Sequence, residues 1–401
     1  MAPSTEQQNT ASAPVDENVG SVATMAAEPE KRVRLGYLDG LRGLAAMYVV
    51  LHHSIFSHHL PSTLPHWLRL ATKPLAYGHF SVALFIVLSG YCLMLPVARS
   101  ADGVLKGGLA GFIRRRARRI LPPYYAALVL ALILDWVSST WLHPPGVRLH
   151  NMFDKIAIPV IISHLLLLHN LSPAWIFQID VPLWSVATEW QIYFVFALLL
   201  LPIWRRFGIF ATIVCAFVIG LAPHYLVKPQ GHVDPARFWY IGLFALGMAG
   251  AVVNFSTDSR TTAVREKTPW MLLSAIFGLS MIAASSAMPG YLTRHPWIID
   301  PWAGLAASCL LVGLTRVLTS GAQHPAILRM LDAEPTRRLG SFSYSLYLVH
   351  YPILQITTAL IAITVHSTTG SVLADLVVGS TVATICAYWF YLRFEKPYCA
   401  N

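Results

Sequence analysis

Apolar runs of about twenty residues recur along this chain and decide what it can fold into. A run of that length spans the hydrocarbon core of a bilayer as an α-helix. The chain is 55% hydrophobic and only 12% charged, whereas about a quarter of the residues in an ordinary soluble domain are charged. We therefore expect an all-α fold, a polytopic bundle of membrane helices.

The sequence predicts about ten transmembrane helices and leaves an eleventh open. The run 156–170 is ambiguous, because it is short and carries Pro159, His164 and His169. Residues 1–34 are polar and are expected to form a disordered tail, with 35–401 as the membrane domain. The ten spans lie at roughly 40–57, 79–97, 121–142, 183–203, 207–223, 238–254, 270–288, 302–319, 344–364 and 372–393.

The net charge of +10 comes largely from basic residues at the ends of these runs. With ten spans and a cytoplasmic amino terminus, the main basic loops all fall inside, as the positive-inside rule requires. We therefore predict cytoplasmic termini and a re-entrant or interfacial 156–170. In a eukaryotic cell the membrane would be the endoplasmic reticulum or another endomembrane. We expect this positive charge to interact with the lipid bilayer and not with nucleic acid.

Arg42 and His53 share one face of the first predicted helix, because eleven residues make about three turns. An ionisable residue inside a membrane span is a functional-site candidate. A neutral histidine can take a proton from a hydroxyl, and an arginine can hold a phosphate or carboxylate with two hydrogen bonds. The plain alternative is that Arg42 caps the helix or reaches the interface, and that His53 is a satisfied polar residue.

Ser185, Glu189 and Tyr193 follow one another at intervals of four and share a second helix face. Glu189 is the only carboxylate in its apolar stretch. It could orient a histidine or form an ion pair between helices, and the predicted topology puts it on the same side as His53.

Ser343, Tyr347 and His350 share a third face, at positions i, i+4 and i+7. Such a stripe of hydroxyls and imidazole could bind a substrate or join two helices. Alone, the pattern favours helix packing.

With these strings the chain resembles the acyltransferase 3 family of multi-pass membrane acyltransferases, and in particular its fungal members that act on small molecules. The resemblance spans about 35–398. The matching strings are Leu38-Asp39-Gly40-Leu41-Arg42-Gly43 with His53, Phe85 to Tyr91, Phe112 to Tyr124, Leu183-Trp184-Ser185 with Glu189, Ser343 to His350, and Phe394-Glu395-Lys396-Pro397.

The resemblance implies transfer of an acyl group, commonly acetyl from acetyl-CoA, to an acceptor hydroxyl. Acyl-CoA would be a co-substrate, and no bound cofactor or metal is expected. His53, Arg42 and Glu189 are the catalytic candidates, with His53 leading. The candidates for binding donor or acceptor are Asp39, Arg115, Arg118, Trp184, Ser185, Tyr347 and His350.

Three questions stay open at the level of sequence. A small-molecule acceptor from secondary metabolism is preferred, and a cell-surface carbohydrate or lipid is the alternative. A proton-coupled transporter could use Arg42, His53 and Glu189 as its path. The pair His169-Asn170 also suggests another class of membrane acyltransferase that uses histidine and asparagine.

Overall fold

The computed structural model describes residues 35–56, 64–100, 102–142, 156–226, 236–321 and 323–399. Helices and their connections make up this part of the chain, which confirms the all-α fold class. The predicted tail 1–34 lies outside the described residues. The helices are α1 (Tyr37–Phe56), α2 (His66–Thr72), α3 (His79–Ala98), α4 (Gly108–Trp141), α5 (Ile158–Leu165), α6 (Leu183–Val195), α7 (Leu201–Leu226), α8 (Tyr240–Phe255), α9 (Ser259–Lys267), α10 (Trp270–Ala287), α11 (Pro289–Arg294), α12 (Pro296–Thr319), α13 (Ala326–Asp332), α14 (Glu334–Ser341), α15 (Ser343–Thr364), α16 (Thr368–Ala374), α17 (Ser380–Phe390) and α18 (Lys396–Cys399).

Seven helical segments in the described ranges are long and apolar enough to cross a membrane, or eight if the bent pair of α8 and α9 counts as one span. The predicted count of ten is not confirmed. Helix α1 has 20 residues but is not among the seven, and it contains Asp39, Arg42 and both histidines of the pair at 52 and 53. One of the seven runs through α6 and α7 and is broken at Gly208, where φ is 80° and ψ is 179°.

Segment 156–170 contains only the eight-residue helix α5 and the start of the 3₁₀ turn His169–Leu171. Eight residues rise about 12 Å, less than half of the hydrocarbon core, so α5 cannot cross the membrane by itself. It is fixed to α4 by two tyrosine hydroxyls. Tyr124 donates to the carbonyl of His164 at 2.9 Å, and Tyr125 to that of Leu165 at 2.8 Å.

The outer surface of the bundle is apolar, as a lipid-facing surface must be. Helix α10 shows this most clearly, because only 6% of its most apolar stretch is buried. Leu272, Ile276, Leu279 and Ile282 are all exposed and recur at helical spacing along it. The fold is therefore consistent with a chain that sits within a bilayer.

Helix α1 packs against the end of α13 and the end of α14 through glycines that let the backbones touch. A Cβ atom on Gly40 would lie 1.8 Å from the carbonyl oxygen of Leu331, and one on Gly340 would lie 1.9 Å from that of Asp39. Helices α3 and α8 meet in the same way at Gly90 and Gly247. Small residues allow such close contacts between membrane helices, which explains the glycines on either side of Arg42.

Contacts between helices define two ends of the bundle. Arg42 of α1 reaches Cys92 near the end of α3, whereas His52 of α1 packs on Gly78 at the start of α3, so the two helices are antiparallel. Helix α15 runs parallel to α1, because Gly340, just before it, contacts α1 near Arg42, and His350 contacts His53. We call these the Arg42 end and the His53 end.

We expect Gly340→Ala to destabilise the fold, because the added methyl group overlaps the backbone of α1. Overpacking of this kind costs about 1–3 kcal/mol, and it should lower the melting temperature of the detergent-purified protein. Gly278→Ala in α10 is the matched control, since nothing lies within 4 Å of its added atom. Equal melting temperatures for the two variants would contradict the close contact.

Candidate functional site

A cavity of about 290 Å³ lies at the Arg42 end between α1, α3, α4, α6 and α15. Its wall contains three arginines, a carboxylate, a thiol and several hydroxyls, which is an unusual lining for the interior of a membrane bundle. The polar residues that line it are Arg42, Ser89, Cys92, Arg116, Arg119, Ser185, Glu189, Tyr193, Ser343, Tyr344 and Tyr347. The cavity is therefore the first candidate for a substrate site.

Arg42 is held at the wall by groups on two helices. Its Nη1 atom lies 3.3 Å from a carboxylate oxygen of Asp39, one turn earlier, and its Nη2 atom lies 3.0 Å from Sγ of Cys92. Only 24% of the side chain is exposed. A guanidinium fixed in this way offers a positive charge and further N–H donors to an anion in the cavity.

Glu189 belongs to the same wall as Arg42. One of its carboxylate oxygens accepts hydrogen bonds from Ser89 and from Tyr193, the latter at 2.6 Å. The Arg42 guanidinium also interacts electrostatically with it. The predicted face of Ser185, Glu189 and Tyr193 is thus present, but Glu189 groups with Arg42 and not with His53, which does not line the cavity.

Tyr347 marks the boundary between the cavity and the His53 end. Its hydroxyl lies 2.6 Å from Oγ of Ser185 and donates to the carbonyl of Pro182 at 3.3 Å. The ring lines the cavity, and its centroid lies 5.9 Å from that of His350. Tyr347 therefore connects the polar cavity with the histidines beyond it.

His53 and His350 form a hydrogen-bonded pair, with Nδ1 of His53 2.9 Å from Nε2 of His350. Nδ1 of His350 lies 3.0 and 2.8 Å from the carbonyls of Leu346 and Tyr347. Carbonyls only accept, so in neutral His350 the proton is on Nδ1, and Nε2 accepts from Nδ1–H of His53. The lone pair of neutral His53 is therefore on its Nε2, the arrangement that a general base requires.

Two of the predicted donor ligands lie away from the cavity. Arg115 and Arg118 are exposed, and Arg115 donates to the carbonyl of Lys106 at 2.6 Å. Arg116 and Arg119 line the cavity instead. The sequence analysis did not select Arg116 and Arg119, because the basic cluster places arginines at nearly every position around the helix. The buried Phe112 four residues before Arg116 was the available signal.

The other predicted residues divide between the two ends. Trp184 is buried outside the cavity wall, and the Arg237 guanidinium lies 4.5 Å from its ring centroid. Asp39 acts on the cavity through Arg42. His169 and Asn170 are buried at the His53 end, where the amide of Asn170 donates to Thr188 at 3.0 Å. No group of three metal-binding side chains occurs in the described ranges.

The structure is a membrane-type helical bundle with an arginine-lined cavity and a histidine pair, groups that can bind an anionic substrate and move a proton. Residues 35–392 match the acyltransferase 3 family, which is described as an acyltransferase domain. The chain belongs to this family, and the match covers most of its length. No solved structure matches the chain.

The chain is similar to several bacterial O-acetyltransferases. It is 27% identical to the peptidoglycan O-acetyltransferase OatA of Listeria monocytogenes, over 82% of this chain and 50% of that protein. It is 25% identical to the O-acetyltransferase OatA of Staphylococcus aureus, over 79% and 50%, and 24% identical to the putative peptidoglycan O-acetyltransferase YrhL of Bacillus subtilis, over 90% and 54%. The chain spans about half the length of these curated relatives.

We expect Tyr193→Phe to destabilise the cavity wall, because Glu189 then loses one of the two O–H groups that donate to its carboxylate. Loss of such a hydrogen bond costs about 1–3 kcal/mol, and thermal unfolding in detergent would measure it. Tyr388→Phe is the control, since Tyr388 is half exposed and makes ring contacts that phenylalanine keeps. A Tyr193→Phe protein that melts with the wild type would contradict the role of this hydrogen bond.

Proposed function

We propose that this protein is a membrane O-acyltransferase that moves an acyl group, most simply acetyl, from acyl-CoA to a hydroxyl of a cell-surface carbohydrate. The observation that carries the proposal is the hydrogen bond between His53 and His350. Because the carbonyls behind His350 require its proton on Nδ1, this bond leaves the lone pair of neutral His53 on Nε2. The family and the arginine-lined cavity support it.

The proposed step uses His53 as the general base. Nε2 of His53 takes the proton of the acceptor hydroxyl while the hydroxyl oxygen attacks the carbonyl carbon of the thioester. The C–O bond of the ester forms, the C–S bond breaks, and the thiolate of coenzyme A leaves. The proton on His53 then passes to that thiolate, so the enzyme returns to its starting state. His350 accepts from Nδ1–H of His53 throughout and orients the ring.

The cavity suits the donor. Coenzyme A carries phosphates at one end and its thiol on a long arm at the other. Arg42, Arg116 and Arg119 supply positive charge for the phosphates, and Tyr347 lies where the wall approaches His350. The donor's head would thus occupy the Arg42 end and its thioester would point to the His53 end.

The relatives favour a carbohydrate acceptor, because two of the three are named for peptidoglycan. The sequence-based preference for a fungal-type, small-molecule acceptor has no support among them, nor has the endoplasmic reticulum. We propose that the Arg42 end, which also holds Arg116 and Arg119, faces the cytoplasm, where acyl-CoA is made. Both termini would then be cytoplasmic, as the basic loops predict.

His53→Ala should abolish acyl transfer, because it removes the proposed general base. Purified protein would be mixed with acetyl-CoA and peptidoglycan fragments, and free thiol and acetylated sugar would both be quantified. A fall of about 100-fold or more is expected from loss of a general base. His366→Ala, at an exposed histidine, is the control. Normal transfer by folded His53→Ala protein would refute the mechanism, and proton movement without any transfer would favour transport.

Replacing Arg116 and Arg119 together by glutamine should raise the KM for acetyl-CoA about tenfold or more, since each removes a charge-assisted contact. The matched control replaces Arg115 and Arg118 by glutamine, which removes the same charge from side chains of the same helix that do not line the cavity. The control should stay within about twofold of the wild type. Equal effects of the two double variants would show that only the overall charge matters.

A further inference from the structure

Asp180 is a fully buried carboxylate that the steps above do not use. It lies in the connection before α6, and its exposed fraction is 0%. Neither carboxylate oxygen has a hydrogen-bond partner in the described part of the chain. Burying a polar group without a partner costs several kcal/mol in an apolar environment, so this residue requires an explanation.

The backbone immediately before Asp180 is strained. Ile179 has a φ of 66°, a conformation that β-branched residues rarely adopt. The amide of Asp180 donates to the carbonyl of Gln178 at 2.8 Å, which makes a γ-turn around Ile179. Strain of this kind persists where the surrounding structure enforces it, and it often accompanies function.

The neighbours of Asp180 belong to the His53 end. Its carboxyl group interacts electrostatically with Tyr347 and with Tyr351. The ring of Tyr351 packs edge-on against His53, with 5.2 Å between the centroids, and Tyr347 adjoins His350. The two tyrosines that interact with the Asp180 carboxyl group are therefore the ones that adjoin the histidine pair.

A comparison with Asp300 shows what is unusual about the carboxylate of Asp180. Asp300 is also fully buried, but one of its oxygens accepts a hydrogen bond from Nε1 of Trp239 at 2.8 Å, and the Arg237 guanidinium interacts with it. That carboxylate has a structural partner. Asp180 has neither, so the group that completes it is expected to come from a ligand.

We propose that Asp180 binds the acceptor, accepting a hydrogen bond from a hydroxyl that neighbours the one that reacts at His53. The inference rests on the proposed function and narrows the acceptor to a polyol such as a sugar, since a second hydroxyl is needed. Asp180 is covered in the structure, so the acceptor must displace part of the cover. The turn at Ile179 is the part whose movement releases strain.

The test combines Asp180→Leu with deoxygenated acceptors, because leucine, unlike asparagine, has no oxygen that could accept the hydrogen bond. Wild type and variant would each be assayed with acetyl-CoA and a soluble peptidoglycan disaccharide, and with analogues of that disaccharide lacking one hydroxyl each. We expect Asp180→Leu to lower kcat/KM for the disaccharide about tenfold or more, with the KM for acetyl-CoA unchanged. One deoxy analogue should lower wild-type turnover by a similar factor and lower that of the variant little further, because both changes remove the same hydrogen bond.

Stability separates a binding role from a structural one. Asp180→Leu should melt at or above the wild-type temperature, because it removes a buried polar group that has no partner. Asp300→Leu is the matched control and should melt lower, since it leaves the Trp239 N–H without an acceptor.

Each result has one meaning for the proposal. The proposal is supported if three results are found together. The variant loses acceptor turnover, the effects of the variant and of one deoxy analogue are not additive, and the melting temperature of Asp180→Leu is not lowered. Wild-type turnover by Asp180→Leu, additive deoxy effects, or a lower melting temperature of this variant overturns it and leaves the His53 mechanism intact. A wild-type protein that transfers nothing to any acceptor overturns the proposed function and this inference together.

Discussion

The close backbone contact between α1 and the segment before α15 fixes the positions of all other parts of the site. Without side chains at Gly40 and Gly340, the two backbones touch, and α1 lies against α15 along its length. Arg42 and His53 are carried by α1, about 16 Å apart along its axis. A rigid helix therefore sets the distance between the cavity wall and the proposed base, and neither can shift without the other.

Tyr347 links the two ends chemically. Its hydroxyl is held by Ser185 and the carbonyl of Pro182, its ring forms part of the cavity wall, and the next turn of α15 carries His350. In the proposed reaction the thioester approaches His53 past this ring. The carbonyl of Tyr347 also accepts from Nδ1 of His350, so the residue that bounds the donor cavity helps to set the tautomer of the base.

The sequence predicts the helical fold and most of the face that lines the cavity, because both depend on periodicity. The helix spacing of Ser185, Glu189 and Tyr193 places all three on the wall. Periodicity does not identify the cavity residues in the cluster 114–119, because arginines occupy nearly every position around the helix. Only the packing of the folded bundle shows that Arg116 lines the cavity and Arg115 does not. Whether Glu189 lies level with Arg42 or with His53 depends on the relative axial positions of α6 and α1. The sequence pattern does not encode these positions.

Buried polar groups in a membrane protein indicate function or specific structure, because each one that lacks a hydrogen-bond partner costs free energy in an apolar environment. Arg42, Glu189, Tyr347 and His350 satisfy this constraint with named partners. Their geometry is therefore complete before any substrate binds, which is what a preorganised site requires. The carboxylate of Asp180 departs from this rule. A group left incomplete beside a complete catalytic pair is most simply one that the substrate itself completes.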